Sequence, residues 1–314
     1  FSVWHFVNQH LQKTQIKQMV SVVIPAYNEG SVIAVTVFDV QRVFEMNNMK
    51  DAEIIVVDDG STDSTAEMSM KSGAETITHP HNIGYGRSLK DGIRAAKNDT
   101  IVITDADGTY PIEMIPALLN EYAKGFNMVV GARQGENYDE SFKKKSLRLI
   151  LKKLVEFTAG RKIPDINSGL RVFSKKEILP YFSKLCDTFS FTTSLTLAYM
   201  MNGMFVKYVP IDYMKREGQT KVRLFRDSMR TLQFIVEAIM FYNPIKIFIV
   251  FSAMLLLFAG FNFILSFAFQ KTITFYLGLG SILLAVLMFG MGLLSVQLKH
   301  MLFRSDENNK SHII

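Results

Sequence analysis

Cysteine is almost missing from this chain. Cys186 stands alone among 314 residues, which excludes an intrachain disulfide and any multi-cysteine metal site. Its simplest role is that of a small buried apolar residue. Tryptophan is equally scarce, with Trp4 its sole example. Residues 1–19 are polar and hold no apolar core, so they do not read as a signal peptide. The missing initiator Met fits a trimmed chain. Charge is the most telling absence. No Asp, Glu, Lys or Arg occurs between Ile247 and Phe269 or between Thr272 and Leu298. Each run exceeds the roughly 20 residues that cross a bilayer as a helix. A buried helix of a soluble core is the alternative, and two such runs in succession weigh against it.

Only Gln270-Lys271 separates the two runs, so they form a tight hairpin with both ends on one side. Lys246 precedes the first, while Lys299, His300 and Arg304 follow the second. With Arg223, Arg226 and Arg230, these basic residues place the rest of the chain on the cytoplasmic side of the inner membrane. The formal net charge of +6 is compatible with nucleic acid. Beside two membrane spans, anionic lipid headgroups are the expected partner and nucleic acid is not.

What is present begins with strands. Residues 21–24, 53–57, 75–78, 100–103 and 127–130 are short apolar or β-branched runs, and residues 31–45 and 87–97 between them carry helical apolar spacing. This alternation predicts an α/β fold with a mostly parallel, Rossmann-like sheet covered on both faces. In such sheets ligands bind beyond the carboxyl ends of the strands. Three polar loops sit there: Pro25-Ala26-Tyr27-Asn28-Glu29, Asp58-Asp59-Gly60-Ser61-Thr62-Asp63 and Asp105-Ala106-Asp107. Two carboxylates two residues apart can approach one hard cation that shares its coordination sphere with substrate phosphates. A turn or helix cap explains an isolated Asp-x-Asp equally well. Three such loops at three strand ends favour a nucleotide-sugar site.

Beyond Arg133 the pattern changes. Residues 141–158 combine Lys143, Lys144, Lys145, Arg148, Lys152 and Lys153 with an apolar face. Such a helix either lies on an anionic membrane surface or packs its apolar side on the domain. Residues 222–242 form a second amphipathic segment leading into the first span, and Asn243-Pro244 breaks it. The expected organisation is a polar extension (1–20), a catalytic domain (21–220), a juxtamembrane amphipathic helix (221–244), two transmembrane helices (245–300) and a cytoplasmic tail (301–314).

The three loops, the last of them extended by Gly108, occur with Asn82-Ile83-Gly84-Tyr85-Gly86 and Asn167-Ser168-Gly169-Leu170-Arg171 in the order seen in glycosyltransferase family 2. Over roughly residues 20–245 the chain resembles the polyprenyl-phosphate glycosyltransferases, the group of dolichol-phosphate mannose synthases and bacterial undecaprenyl-phosphate sugar transferases. The resemblance implies a GT-A fold and an inverting, metal-dependent transfer of one sugar from a nucleotide-sugar donor to a polyprenyl phosphate. It implies that Pro25, Tyr27, Glu29 and Asp58 line the nucleoside pocket, although Pro25 also reads as a strand end and Glu29 as a helix start. Asp105 and Asp107 would hold Mg²⁺ or Mn²⁺. Relatives bring a Gln to the metal two residues after the second Asp; Thr109 stands there, so water is the expected third ligand. Arg133 and Arg171 match arginines near the phosphates, a role suited to a planar, permanently charged fork, with a salt bridge as the alternative. Gly84 and Gly86 let backbone pass close to a ligand or serve a turn. Arg216 and Lys221 match a basic loop that closes over the donor, or contact lipid headgroups. Relatives of this branch often form tetramers.

The acceptor bears on the chemistry. A phosphate monoester loses its second proton near about pH 6, so it is already a nucleophile, and no strong general base is expected. Where relatives carry an acidic residue, Phe189-Ser190-Phe191-Thr192-Thr193-Ser194 offers hydroxyls; contact with the sugar there would alter donor preference. Two other readings stand beside this one. A processive polysaccharide synthase of the same fold needs a Gln-x-x-Arg-Trp motif, yet the one tryptophan is Trp4. A non-catalytic membrane subunit that binds nucleotide sugar would not need the intact Asp105/Asp107 pair.

Overall fold

The computed structural model describes residues 19–135, 142–214 and 224–311. They divide into two compact units, Phe1–Phe234 and Ile235–Ile314.

The first unit is built on seven strands: β1 (Val20–Ala26), β2 (Glu53–Asp58), β3 (Glu75–Thr78), β4 (Thr100–Ile103), β5 (Met128–Gln134), β6 (Arg171–Ser174) and β7 (Val206–Asp212). Their order is β3-β2-β1-β4-β6-β5-β7. β6 runs antiparallel to both neighbours; every other pairing is parallel. The central strands read as continuous apolar runs because both of their faces are covered. Val22 and Ile24 of β1, with Ile54 and Val56 of β2, pack on one face against Ile33, Val37 and Val40. These belong to helix α1 (Ile33–Met46). On the other face Val23, Ile55 and Val57 meet Leu89 and Ile93 of α3 (Tyr85–Ala95). Helices α2 (Thr65–Lys71), α4 (Ile115–Tyr122), α5 (Phe142–Ala159), α6 (Lys175–Ile178) and α7 (Phe191–Met201) complete the layers.

The five expected strands are all present, and two more follow Arg133. β6 is four residues long, with only Val172 and Phe173 apolar, and opens on a fully buried arginine, so its apolar signature is short. β7 contains Pro210, which is tolerated because β7 lies at the sheet edge.

Register brings the loops together. Ala26 pairs with Asp58, and Val23 pairs with Ile103. The carboxyl ends of β1, β2 and β4 are therefore neighbours, and each of the three polar loops leaves from one of them.

Helix α8 (Leu224–Tyr242) crosses the division between the units, and α9 (Ile245–Phe269) and α10 (Thr272–Ser311) form the second. Gln270, left-handed at φ 54°, reverses the chain between them. Gly278 faces the Phe263 ring and Gly292 faces Phe248, so closely that a Cβ at either would collide. The Ser252 hydroxyl donates to the Ala285 carbonyl at 3.0 Å. Segments Ile245–Phe269 and Thr272–Lys299 are long and apolar enough to cross a membrane. Only 22% of each apolar window is buried, so most of their Leu and Phe side chains face outward. The Lys299 ammonium donates to the Tyr242 carbonyl, so the far end of α10's apolar stretch returns to the segment preceding α9.

Helix α3 approaches the sheet through Gly92, where a Cβ would lie 2.5 Å from Val23 Cγ1 and 2.9 Å from Val57 Cγ2. Gly92→Val is expected to cost about 1–3 kcal/mol by overpacking and to lower the melting temperature. Gly280→Ala, with nothing within 4 Å of its Cβ, should leave the melt unchanged in the same calorimetric scan.

Candidate active site

The loop after β1 is tied to the loop after β2 by a set of reciprocal hydrogen bonds. The amides of Asn28, Glu29 and Gly30 donate to Ser61 Oγ (2.8 Å), Thr65 Oγ1 (2.8 Å) and Asp63 Oδ2 (3.0 Å). Asn28 Oδ1 accepts from the Thr62 amide at 2.8 Å. Asn28 adopts a positive φ of 51°, a region that asparagine enters more readily than most residues. Pro25 lies within β1, and the Glu29 carbonyl accepts from the amides of Val32 and Ile33 that lead into α1. The Tyr27 and Glu29 side chains are half-buried. Asp58 is buried and accepts from the amide and hydroxyl of Ser61. Its neighbour Asp59 faces another way. It accepts from the amides of Ile83 (3.0 Å) and Gly84 (2.9 Å), and its Oδ1 lies 3.0 Å from His79 Nδ1. Asp59 thus fixes the Asn82-Ile83-Gly84 turn that starts α3.

Asp105 and Asp107 leave the end of β4 with distinct supports. Tyr85 donates its phenol to Asp105 Oδ1 at 2.8 Å. Thr109 donates its hydroxyl (2.6 Å) and its amide (3.2 Å) to Asp107 Oδ1. The Ala106 carbonyl between them accepts from Thr36 Oγ1 of α1 at 3.0 Å. A Cβ at Gly169 would lie 2.8 Å from both Asp105 oxygens, so only glycine leaves that carboxylate its place. This is a donor set suited to a hard divalent cation: oxygen ligands alone, held in position, with a glycine where a larger residue would crowd them. Among the described residues no group of three or more His, Cys, Asp or Glu could hold a metal. Phosphate and water would complete such a sphere. Thr109 supports Asp107.

The arginines divide. Arg133 forms a two-pronged pair with Asp165, Nε to Oδ2 at 2.7 Å and Nη2 to Oδ1 at 2.9 Å, and lies over the Tyr213 ring at 5.3 Å. This is a salt bridge, though a largely buried one. Arg171 is fully buried. Its guanidinium donates to the carbonyls of Ser168 (2.8 Å) and Ile166 (3.0 Å) and to Thr196 Oγ1 (2.8 Å). Burial lowers its pKa. A side chain without exposed surface does not fit the direct phosphate contact expected of Arg171; it anchors the 166–168 loop beside Gly169.

The glycines lie where the chain turns into α3 and packs on itself. Gly84 has φ 120°, and a Cβ there would lie 2.5 Å from the Asp187 carbonyl oxygen; one at Gly86 would lie 2.2 Å from that of Cys186. What passes close to them is the chain's own segment 185–188. Lys90 locks that contact, donating to the Leu185 carbonyl and to Asp187 Oδ1, both at 2.6 Å. The hydroxyls of Thr192, Thr193 and Ser194 are buried. Thr193 donates to Asn167 Oδ1 at 2.6 Å and Ser194 to the Phe191 carbonyl at 2.8 Å, so they serve packing; Phe189 alone of that segment is prominently exposed. Arg216 and Lys221 lie outside the described residues.

A family model, that of glycosyl transferase family 2, matches residues 21–179, the span that carries all three acidic loops. The chain belongs to this family. It is 29% identical to a dolichyl-phosphate hexose transferase of Haloferax volcanii, over 65% of this chain and 87% of that protein. It is 30% identical to the low-salt glycan biosynthesis hexosyltransferase Agl6 of the same organism, over 71% of this chain and 54% of that one. An undecaprenyl-phosphate 4-deoxy-4-formamido-L-arabinose transferase of Enterobacter is 27% identical over 78% and 74%. Among solved structures, glucosyl-3-phosphoglycerate synthase of Mycobacterium tuberculosis with uridine diphosphate superposes with a TM-score of 0.60 at 19% identity, covering 73% of this chain and 82% of that one. The same enzyme was also solved with Mn²⁺, uridine diphosphate and glucosyl-3-phosphoglycerate, at a TM-score of 0.57. This likeness establishes the GT-A fold of the catalytic unit.

Several residues of this glycosyltransferase are not singled out by the sequence: Tyr110, Asp165 and Tyr213, and Tyr85 beyond its place in the 82–86 motif. Tyr110 accepts from the Gly169 amide at 2.6 Å and packs edge-on to Tyr213, with ring centroids 5.5 Å apart. Asp165 sits two residues before Asn167, whose amide it accepts at 3.1 Å. Burial raises the Asp165 carboxyl, but the charge and hydrogen bonds of Arg133, with the Asn167 and Arg133 amides, outweigh it and hold its pKa below the ordinary value. A carboxyl depressed in the folded state contributes stability above its unfolded pKa of about 4 and loses it as pH falls through the folded value. Asp165→Ala, which strips the carboxylate from a largely buried guanidinium, is expected to cost about 3–5 kcal/mol. Denaturation at stepped pH should show the full gap above about pH 4 and a narrowing gap in stronger acid.

Proposed function

We propose that this enzyme moves one sugar from a nucleotide-sugar donor to a polyprenyl phosphate at the cytoplasmic face of a membrane. The reading rests on one juxtaposition: the Asp105/Asp107 pair of a family 2 sheet belongs to a chain that also carries a membrane-spanning hairpin. Two of the relatives above are named for dolichyl or undecaprenyl phosphate acceptors, and a lipid acceptor explains why such a unit is tethered.

In this reading Pro25, Tyr27, Glu29 and Asp58 line the nucleoside pocket. Tyr27 presents an aromatic face for the base, and the carboxylates accept from imide or ribose donors. Asp105 and Asp107 would hold Mg²⁺ or Mn²⁺, which when bound would supply positive charge against that developing on the departing nucleoside diphosphate. Arg133, fixed by Asp165 and Tyr213, adds a positive charge near that region. Arg216 and Lys221 match the family's basic donor loop and would add positive charge for the diphosphate or for lipid headgroups. Arg171 acts at one remove, holding the loop that leads into Gly169.

The attacking group is the acceptor's own phosphate, anionic near neutral pH because its second proton leaves at about pH 6. The enzyme's contribution is therefore position and field: an in-line approach of the phosphate oxygen, with inversion at the sugar carbon, in a site where charge is already arranged.

The test is nucleoside diphosphate release by detergent-purified protein over a panel of UDP- and GDP-sugars with Mn²⁺ or Mg²⁺, with and without undecaprenyl phosphate. Release that requires both lipid and metal is expected. Release without lipid would replace the acceptor by water or another molecule. Asp105→Ala/Asp107→Ala is expected to lower turnover by about 10²-fold or more with an unchanged melting temperature, and full turnover in that variant would end the metal assignment.

A further inference from the structure

Each carboxylate of the Asp105/Asp107 pair has its Oδ1 held by a neighbouring hydroxyl. For Asp107 the donor is local, two residues away. For Asp105 it is the phenol of Tyr85, brought from the first turn of α3 at 2.8 Å. Tyr85 is itself fixed. Its ring stacks on Phe189 with centroids 5.7 Å apart and planes 15° from parallel. Helix α3 is seated on the Phe189 segment by Gly84 and Gly86 below and by Lys90 alongside. On the opposite side Ser190, the residue after Phe189, lies 2.6 Å through its hydroxyl from that of Thr231.

We propose that Tyr85 is a positioning residue for Asp105: its hydroxyl, held by the Phe189 stack, fixes the rotamer in which that carboxylate meets the divalent cation. The proposal rests on the reading of Asp105 as a metal ligand. The physical reason is general. A carboxylate turns freely about its χ2 torsion, and Oδ1 and Oδ2 exchange unless something distinguishes them. A donor on Oδ1 and the Gly169 backbone against the group leave one orientation. Hydrogen bonds of this kind around a metal's ligands typically change affinity or activity by about 10–100-fold when removed. Phe189 becomes a second element of the same device, because without the stack the tyrosine ring can swing.

The experiment is a Mn²⁺ titration of full-length, detergent-purified protein read by electron paramagnetic resonance, in saturating UDP and in parallel in GDP. Tyr85→Phe keeps the ring and its stack and removes one oxygen. Its expected result is a Mn²⁺ dissociation constant raised about 10–100-fold, an altered spectrum of the bound ion and an unchanged melting temperature, with turnover restored by excess Mn²⁺. A merely structural tyrosine would move the melt and leave the spectrum and the Mn²⁺ requirement alone. Asp105→Ala runs beside it. Loss of binding in Asp105→Ala with a wild-type constant in Tyr85→Phe overturns the positioning role and leaves the metal site standing. Wild-type binding in Asp105→Ala overturns the metal reading, and the role of Tyr85 falls with it. Phe189→Leu should show a smaller loss of the same sign. Should Tyr85→Phe fail to fold, Phe189→Leu decides, and an unchanged constant there overturns the proposal.

Discussion

Carboxylates crowd one end of this sheet, and the catalytic unit is organised around supplying each with a donor. Asp58, Asp59, Asp105, Asp107 and Asp165 all leave strands or loops there, and four of the five are buried. Grouped charges in a poorly solvated place repel one another and lose hydration, so each ion needs compensating hydrogen bonds to persist. The chain meets this with backbone amides for Asp59, a serine for Asp58, a threonine for Asp107, a tyrosine for Asp105 and an arginine for Asp165. Ser61 and Thr109 are local donors, whereas those of Asp59, Asp105 and Asp165 come from other loops and elements. Satisfying these charges therefore also ties β2 to α3 and α3 to β4.

This explains which parts of the architecture were legible in the sequence. The strands that carry the first three loops are doubly covered and mostly apolar or β-branched, so β1, β2 and β4 announce themselves, and their loops stand out by contrast. β6 and β7 do not. β6 is brief and starts with Arg171, whose burial is possible only because Ser168, Ile166 and Thr196 supply acceptors. That compensation exists in space and has no trace in local sequence. The basic helix and the juxtamembrane helix were expected over nearly the residues where α5 and α8 form, since amphipathic spacing is a local property.

The site shows the same division. That Asp105 and Asp107 stand together at a strand end follows from the sequence. That Asp59 turns away from Asp58 to hold the start of α3 does not, because two adjacent aspartates look alike until their donors are known. Gly84 and Gly86 were open to two readings, ligand or turn. The structure has Gly84 in the turn that opens α3, with the Cys186-Asp187 backbone as the close neighbour of both. The hydroxyls of residues 192–194 read as a change of specificity, whereas burial turns them into links within α7 and to Asn167. In each case a long-range contact decided between roles that composition leaves equivalent.

Precision of this kind has a mechanistic consequence when no strong base is needed. An acceptor phosphate already ionised leaves the enzyme little proton chemistry to perform, and rate must come from geometry and from charges that do not reorganise. Free carboxylates on a loop would rotate and forfeit that advantage. Here the support for the pair is unequal: Thr109 belongs to the loop it braces, while Tyr85 is braced from outside by Phe189, on a segment that is also bonded to α8 through Ser190 and Thr231. Asp107 is therefore set by its own turn. Asp105 is set by packing among three separate elements, so its orientation depends on how α3 and the 185–190 segment are seated. The seating of α3 therefore bears directly on Asp105.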